Sequence, residues 1–247
     1  MPALAFPEHE NAVRIIGYAF TEMVNNAIDH SGASHVDVEL YLKEGSFAFV
    51  VQDAGVGMFR NVQDKLHLDD LLAALQEISK GKTTTQPQRH SGEGIFFTSK
   101  VADRFEASAN GLLWEVDNLR EDMSIRESPN IAGTRVRFEV TLSKKDTLES
   151  TFAKYTHDLV FDTTTTVVKL FAHGVRFVSR SEAKRLLHGL DRFRHVTLDF
   201  SNVQGVGQGF ADEVFRVWAH AHPEVSLSAE NMAAPVAFMV GRARAAP

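Results

Sequence analysis

The stretch Phe20-Thr-Glu22-Met-Val-Asn25-Asn26-Ala-Ile-Asp29-His30-Ser-Gly-Ala33 decides how the N-terminal part of the chain is read. At helical periodicity Glu22, Asn25, Asn26 and Asp29 share one arc of roughly 100°. Val13, Ile16, Phe20, Met23, Val24 and Ala27 gather on the opposite arc, which is a core face. A solvated outer face would carry Lys and Glu. This one carries a carboxylate and a carboxamide at i and i+4, and two mid-helix asparagines that cost helix propensity. The polar arc reads as a place for chemistry, with a plain solvated face as the alternative.

Working outward, the pattern predicts one helix from Glu8 to Asp29, closed by His30-Ser-Gly32-Ala33 with Gly32 as a left-handed stop. Two alternating segments, Ser34–Leu42 and Ser46–Gln52, read as a hairpin joined at Lys43-Glu-Gly45. The second runs into Asp53-Ala-Gly55-Val-Gly57-Met58. Asp69–Ser79 reads as a helix capped by Asp69 or Asp70. The polar run Lys80–Gly94 is long enough to be a lid rather than a connector. A helix over Ile95–Asp103 follows, then strands at Phe105–Ala109, Leu112–Asp117, Met123–Glu127 and Thr134–Leu142. Beyond Ser143 the pattern changes. A helical connection at Lys144–Leu159 leads into alternating strands and helices, with strands at Thr164–Phe171, Val175–Ser179, Val196–Phe200 and Val225–Ala229. The helices are expected at Ser181–Leu190, Gly209–His220 and Asn231–Arg242, an alternation that implies a largely parallel sheet. The expected domains are 1–146 and 147–247, and Thr163–Thr166 suits an exposed strand or its lead-in.

Composition narrows the functional classes. The chain has 247 residues, 44% of them hydrophobic, enough for one large or two small cores. It has no cysteine, which excludes thiolate catalysis, disulfides and Cys-ligated zinc and fits a reducing compartment. No apolar run reaches membrane-spanning length and no signal-peptide pattern opens the sequence, so a cytoplasmic protein without a membrane partner is expected. A net charge of −6 with interspersed signs argues against a broad nucleic-acid footprint.

Each motif has a plain alternative. Asp53-Ala-Gly55-Val-Gly57 ends an apolar strand where a buried carboxylate can accept from an exocyclic amine, yet a simple turn gives the same letters. Ser91-Gly92-Glu93-Gly94, just before the helix at Ile95, offers backbone N–H groups and a helix N-terminus to an anion. Gly133-Thr134 opening a strand means little by itself.

In this order the pieces resemble the Bergerat-fold or GHKL ATPases, a group that includes gyrase-type ATPase domains, ninety-kilodalton heat-shock chaperones, mismatch-repair ATPases, sensor histidine kinases and anti-sigma-factor serine kinases. Glu22-Met-Val-Asn-Asn26-Ala-Ile-Asp29-His30 is similar to the first box, Asp53–Gly57 to the adenine box, Ser91–Gly94 to the phosphate box, and Gly133-Thr134 to the entry of the closing strand. The anti-sigma kinase type is the nearest in flavour. The resemblance covers about residues 8–142 and implies an α/β sandwich, a mixed sheet covered by helices, that binds ATP and Mg²⁺. It implies Asn26 as the magnesium ligand and Glu22 as general base, or as support for the site. Asp53 and Thr134 would read adenine, Gly55, Gly57 and Met58 would allow close approach, and Ser91, Gly92, Glu93, Gly94 and Ile95 would wrap the phosphates. Lys82 and Thr83 belong to the lid, where Lys82 either reaches the γ-phosphate or is merely solvated. Asp29 and His30 follow the box's shape, His30 as a structural residue. Only a short lead precedes the first helix and no transducer domain follows the boxes, so neither a self-phosphorylating sensor kinase nor a gyrase-type enzyme is expected.

The C-terminal region resembles a STAS-like domain through Ser179–Leu187 and Val196–Arg216. Where anti-sigma-factor antagonists carry a phosphorylatable serine, this chain has Gly205-Val-Gly-Gln-Gly209, so Ser201 is expected to be a turn residue. Asp212, Glu213 and Arg216 would form a surface ion-pair set or a docking face. Together these resemblances imply a signalling protein with slow ATPase or kinase-like activity and the STAS-like domain as its regulatory module. The alternative is a non-catalytic, nucleotide-gated partner switch. An unidentified protein partner is expected, and a homodimer is compatible.

Overall fold

The computed structural model describes residues 9–83, 93–157, 160–167, 177 and 179–245. The chain divides into two units, Met1–Lys154 and Tyr155–Pro247.

In the first unit, helix α1 (Glu10–His30) buries Ala12, Ile15, Ile16, Ala19, Met23 and Ala27. The buried stripe is rotated slightly from the expected one, since Val13 is exposed and small alanines form the line of contact. Gly32 takes the left-handed conformation that ends the helix, at φ 70°. Six antiparallel strands follow: β1 (Val36–Lys43), β2 (Ser46–Asp53), β3 (Arg104–Ala109), β4 (Leu112–Asp117), β5 (Asp122–Glu127) and β6 (Thr134–Thr141), in the order β1-β2-β6-β3-β4-β5. Phe47 through Val51 of β2 are buried without a break, because this strand is covered on both faces, whereas β6 alternates. Phe49 stacks on Phe138 of β6, with centroids 5.0 Å apart, and meets Phe20 of α1 edge-on at 5.5 Å. Helix α1 packs on β2 and β6.

Helix α2 (Met58–Leu66) is an element that the apolar pattern does not reveal, because only Phe59 and Val62 are buried in it. Helix α3 (Leu71–Lys80) starts at Asp70, whose carboxylate accepts from the Ala73 N–H at 2.7 Å. Helix α4 (Gly94–Val101) packs against α1 and β3. Among its described residues the expected connection Lys144–Leu159 contains one short helix, α5 (Leu148–Phe152), capped by Thr147 and Ser150 in a reciprocal box. It lies on the first unit: Arg14 of α1 pairs with Glu149, and the Phe152 ring lies 4.1 Å from that of Phe97 in α4.

The second unit opens with a short hairpin, β7 (Thr156–His157) and β8 (Val160–Phe161). A parallel sheet follows in the order β11-β10-β9, formed by β9 (Thr163–Val167), β10 (His195–Asp199) and β11 (Ser226–Glu230). Thr164 and Thr166 of β9 are buried, so this threonine run is a covered strand rather than an exposed one. Helix α6 (Arg180–Leu187) is capped by a Ser179/Glu182 box. Residues 208–221 run as one helix: α7 (Gln208–Asp212), a π-helical stretch Glu213–Trp218, and α8 (Ala219–Ala221). Helix α9 (Ala234–Ala245) ends the described chain and packs on α7. Parallel strands with covering helices are the α/β architecture that the alternation predicts.

Candidate functional site

Antiparallel pairing of β2 with β6 sets Gln52 opposite Arg135, which brings the end of β2 beside the start of β6. Asp53 and Thr134 meet there. The buried Asp53 carboxylate accepts the Gly55 N–H at 2.9 Å and the Thr134 N–H at 3.3 Å, while the Thr134 hydroxyl oxygen accepts the Met58 N–H at 2.9 Å. Burial pushes the Asp53 carboxyl above the ordinary aspartate range, and the two backbone donors pull the other way. Thr134 thereby supplies the acceptor that starts α2, a helix whose N-cap residue, Gly57, has no side-chain acceptor.

The glycines at this corner are required by protein packing. A Cβ on Gly55 would overlap the Ser31 carbonyl at the end of α1, and one on Gly133 would overlap the Asp53 backbone. The Val56 N–H also donates to the Ser31 oxygen at 3.0 Å. Asn110, in the turn between β3 and β4, fills the space beside Gly57; its side chain donates to the Val56 oxygen at 3.0 Å and accepts the Arg60 N–H at 3.0 Å. Nothing in the sequence marks Ser31 as the contact for Gly55, and Asn110 shows there only through the Asn110-Gly111 pair, a hairpin signal.

A second group lies along α1. Glu22 and Asn26 are half-buried, one turn apart, and Asp29 is exposed. The Glu22 carboxylate occupies the place of a side chain on Gly94, so a Cβ there would collide with Oε2. A carboxylate at the first residue of α4 is favoured by the helix dipole. Tyr18, one turn before Glu22, carries no signal of its own in the sequence. Burial first, then the charges of Glu22 and Glu93, push its phenol far above its ordinary range, so it stays protonated. The Asn26 carboxamide has no hydrogen-bond partner among the described residues. A neutral oxygen donor one turn from a carboxylate suits a hard divalent cation that keeps several waters, so these residues fit Mg²⁺.

Of the other expected residues, His30 ends α1, half-buried, and Glu93 and Ile95 flank the start of α4. Thr83 is buried, its hydroxyl donating to the Glu77 carbonyl at 2.8 Å, which is a structural use. Lys82 takes a left-handed backbone, φ 55°. Lys80 belongs to α3 rather than to a lid: it is fully buried, with Nζ 2.5 Å from Glu77 Oε1. Ser91 and Gly92 lie outside the described residues, as does most of the Lys80–Gly94 run.

In the second unit, Asp199 ends β10 and accepts from the Ser201 N–H, the Ser201 hydroxyl and Asn231 Nδ2 at 2.9, 2.7 and 2.9 Å. Ser201 is thus a turn residue. Arg216 pairs with Asp212 one turn earlier, at 3.7 Å.

Residues 5–114 match the family model of the histidine kinase-like ATPase domain, and residues 182–237 match that of a STAS-like domain of unknown function. The chain carries a histidine kinase-like ATPase domain followed by a STAS-like domain. The first match suggests ATP binding, and it ends before β6, so Thr134 is placed beside Asp53 by the structure alone. No curated protein matches the chain significantly. Among the described residues no helix is long and apolar enough to cross a membrane.

Proposed function

We propose that the histidine kinase-like domain binds Mg-ATP in a signalling protein with slow ATPase or kinase-like turnover, and that the STAS-like domain is its regulatory module. The observation that carries this reading is the Asp53 corner, a buried carboxylate backed by Thr134 and by backbone packed too tightly for side chains at Gly55 and Gly133. Asp53 would accept from the adenine amino group, with the Thr134 hydroxyl beside it. Gly94 and Ile95 would turn the α4 N-terminus toward the phosphates. Asn26 would hold Mg²⁺, which supplies charge neutralisation across the phosphate oxygens when bound. Glu22 would accept the proton from the attacking water or hydroxyl.

Two measurements test this. Fluorescent-nucleotide titration at millimolar Mg²⁺ should show saturable ATP binding by the wild type, and its absence would reject the reading. Glu22→Gln should retain ATP binding while losing phosphate release. A wild type without turnover or phosphoprotein, but with ATP-dependent partner association, would instead identify a nucleotide-gated switch.

A further inference from the structure

In the second unit, three side chains outside the match to the ATPase family converge at the N-terminal end of the parallel sheet. His157 closes β7, Asp162 links β8 to β9, and His195 opens β10. One ligand atom from each lies within 4.8 Å of the others, and this is the one such group among the described residues. His157 Nδ1 stands 2.7 Å from Asp162 Oδ1, and the two imidazole centroids are 4.7 Å apart.

The backbone fixes this convergence. The Asp162 carbonyl accepts the Arg194 and His195 N–H groups at 2.8 and 3.1 Å, and the Tyr155 carbonyl accepts the Asp162 N–H at 3.2 Å. Parallel register places His195 opposite Thr163. The Asp162 carboxylate is buried and takes a further bond from the Thr163 hydroxyl at 3.1 Å, while both histidines are exposed. An ion pair would account for His157 and Asp162 but leaves the second imidazole at the same carboxylate unexplained.

We infer that His157, Asp162 and His195 form a site for a zinc-class divalent transition metal that fastens the β7–β8 hairpin to the parallel sheet. Two imidazoles and one carboxylate are the donor set that borderline ions prefer, whereas Mg²⁺ and Ca²⁺ prefer oxygen alone. Ligand atoms around one tetrahedral zinc stand about 3.3 Å apart, so the His157–Asp162 pair, now at 2.7 Å, has to open by about 0.6 Å and His195, within 4.8 Å of both, to close by up to about 1.5 Å. His157, exposed at its ring, has the freedom to do so. The Thr163 hydroxyl donates to Asp162 Oδ1, the oxygen that His157 meets, and stands 3.3 Å from His157 Nδ1, so it orients both groups as an outer partner of metal ligands does. The two exposed rings leave a coordination position open to solvent.

The test uses the tag-free full chain, stripped with chelator and titrated with Zn²⁺ by calorimetry and with Co²⁺ by visible absorption. One equivalent of Zn²⁺ should bind, Co²⁺ should give ligand-field bands, and Zn²⁺ should raise Tm. His157→Ala and His195→Ala should each weaken binding by about tenfold or more and abolish the Tm shift, with unchanged circular dichroism. The exposed position of His157 keeps the test valid if Asp162→Asn fails to fold. The chain has 11 histidines. Zinc binding that persists in the His157→Ala/His195→Ala double variant lies at others of them and overturns the assignment, as does no uptake by the wild type.

Discussion

Each unit ends an interior strand on an aspartate that accepts from backbone two residues later, Asp53 on β2 and Asp199 on β10. The two corners then diverge. Around Asp53 the glycines have no room for a side chain, and the carboxylate is buried with its pKa raised. In the loop after Asp199, Gly205 is open, with nothing within 4 Å of a Cβ, and the carboxylate is half-buried and bonded to Ser201 and Asn231. A strand-ending aspartate therefore builds a tight glycine corner in one unit, where Gly55 lies two residues on, and an ordinary turn in the other, where the first glycine, Gly205, lies six residues on. What separates them is the neighbour: the end of α1 presses against the first loop.

The largest expected effect is on nucleotide affinity. Asp53→Ala should weaken ATP binding by about a hundredfold, the worth of a buried charge-assisted hydrogen bond, while Asp199→Ala stays within about twofold of wild type. Equal losses in isothermal titration would erase the distinction between the corners. Gly55→Ala should destabilise the first unit by about 1–3 kcal/mol, because the new methyl forces α1 away from the loop. The chain's two tryptophans, Trp114 and Trp218, fall one in each unit. Urea unfolding followed by Trp114 fluorescence in a Trp218→Phe background thus isolates this effect.

A further aspartate, Asp103, buried like Asp53, sharpens the contrast through pH. Asp103 accepts the Thr141 N–H at 2.7 Å and pairs with Lys144 Nζ at 2.6 Å. Burial would raise its pKa, but the bonds from Lys144 and Thr141, with the Lys144 charge, outweigh that and hold it below the ordinary 3.8. A depressed value stabilises the fold above 3.8, and the contribution is lost as pH falls from there through the folded value. Asp103→Asn should cost about 1–3 kcal/mol at pH 7 and give a flatter acid limb in urea midpoints measured against pH. Asp53 has the opposite sign. Its raised pKa means that protonation favours the free fold and replaces the charged acceptor for adenine with a weaker neutral one. ATP affinity should therefore fall on acidification at pH values still above 3.8, and Asp53→Asn should show no such titration. The smallest effect is at Gly205→Ala, expected to stabilise the second unit by about 0.4–1 kcal/mol through the unfolded chain. Trp218 fluorescence in a Trp114→Phe background reads it, and a destabilisation would show that the loop is packed after all.

The sequence by itself determined what repeats locally. The amphipathic stripe of α1, the alternation of β3 to β6 and the strand–helix alternation after residue 155 were legible because apolar periodicity reflects which face each element buries. The pairing of Glu22 with Asn26 on one polar arc was legible for the same reason. Tertiary structure alone decided what depends on contacts distant in sequence. Helix α2 needs the Thr134 hydroxyl, 76 positions away, to start it. Gly94 is small because Glu22 stands against it, and Asn110 holds the loop at Val56 from another hairpin. Lys80 looked like the start of a solvated lid and is buried on Glu77. His157 and His195 meet at Asp162 because parallel register sets the head of β10 beside the head of β9. Periodicity shows a residue's face but carries no information about which distant element will cover it, and side-chain collisions and hydrogen bonds are fixed only when that element arrives.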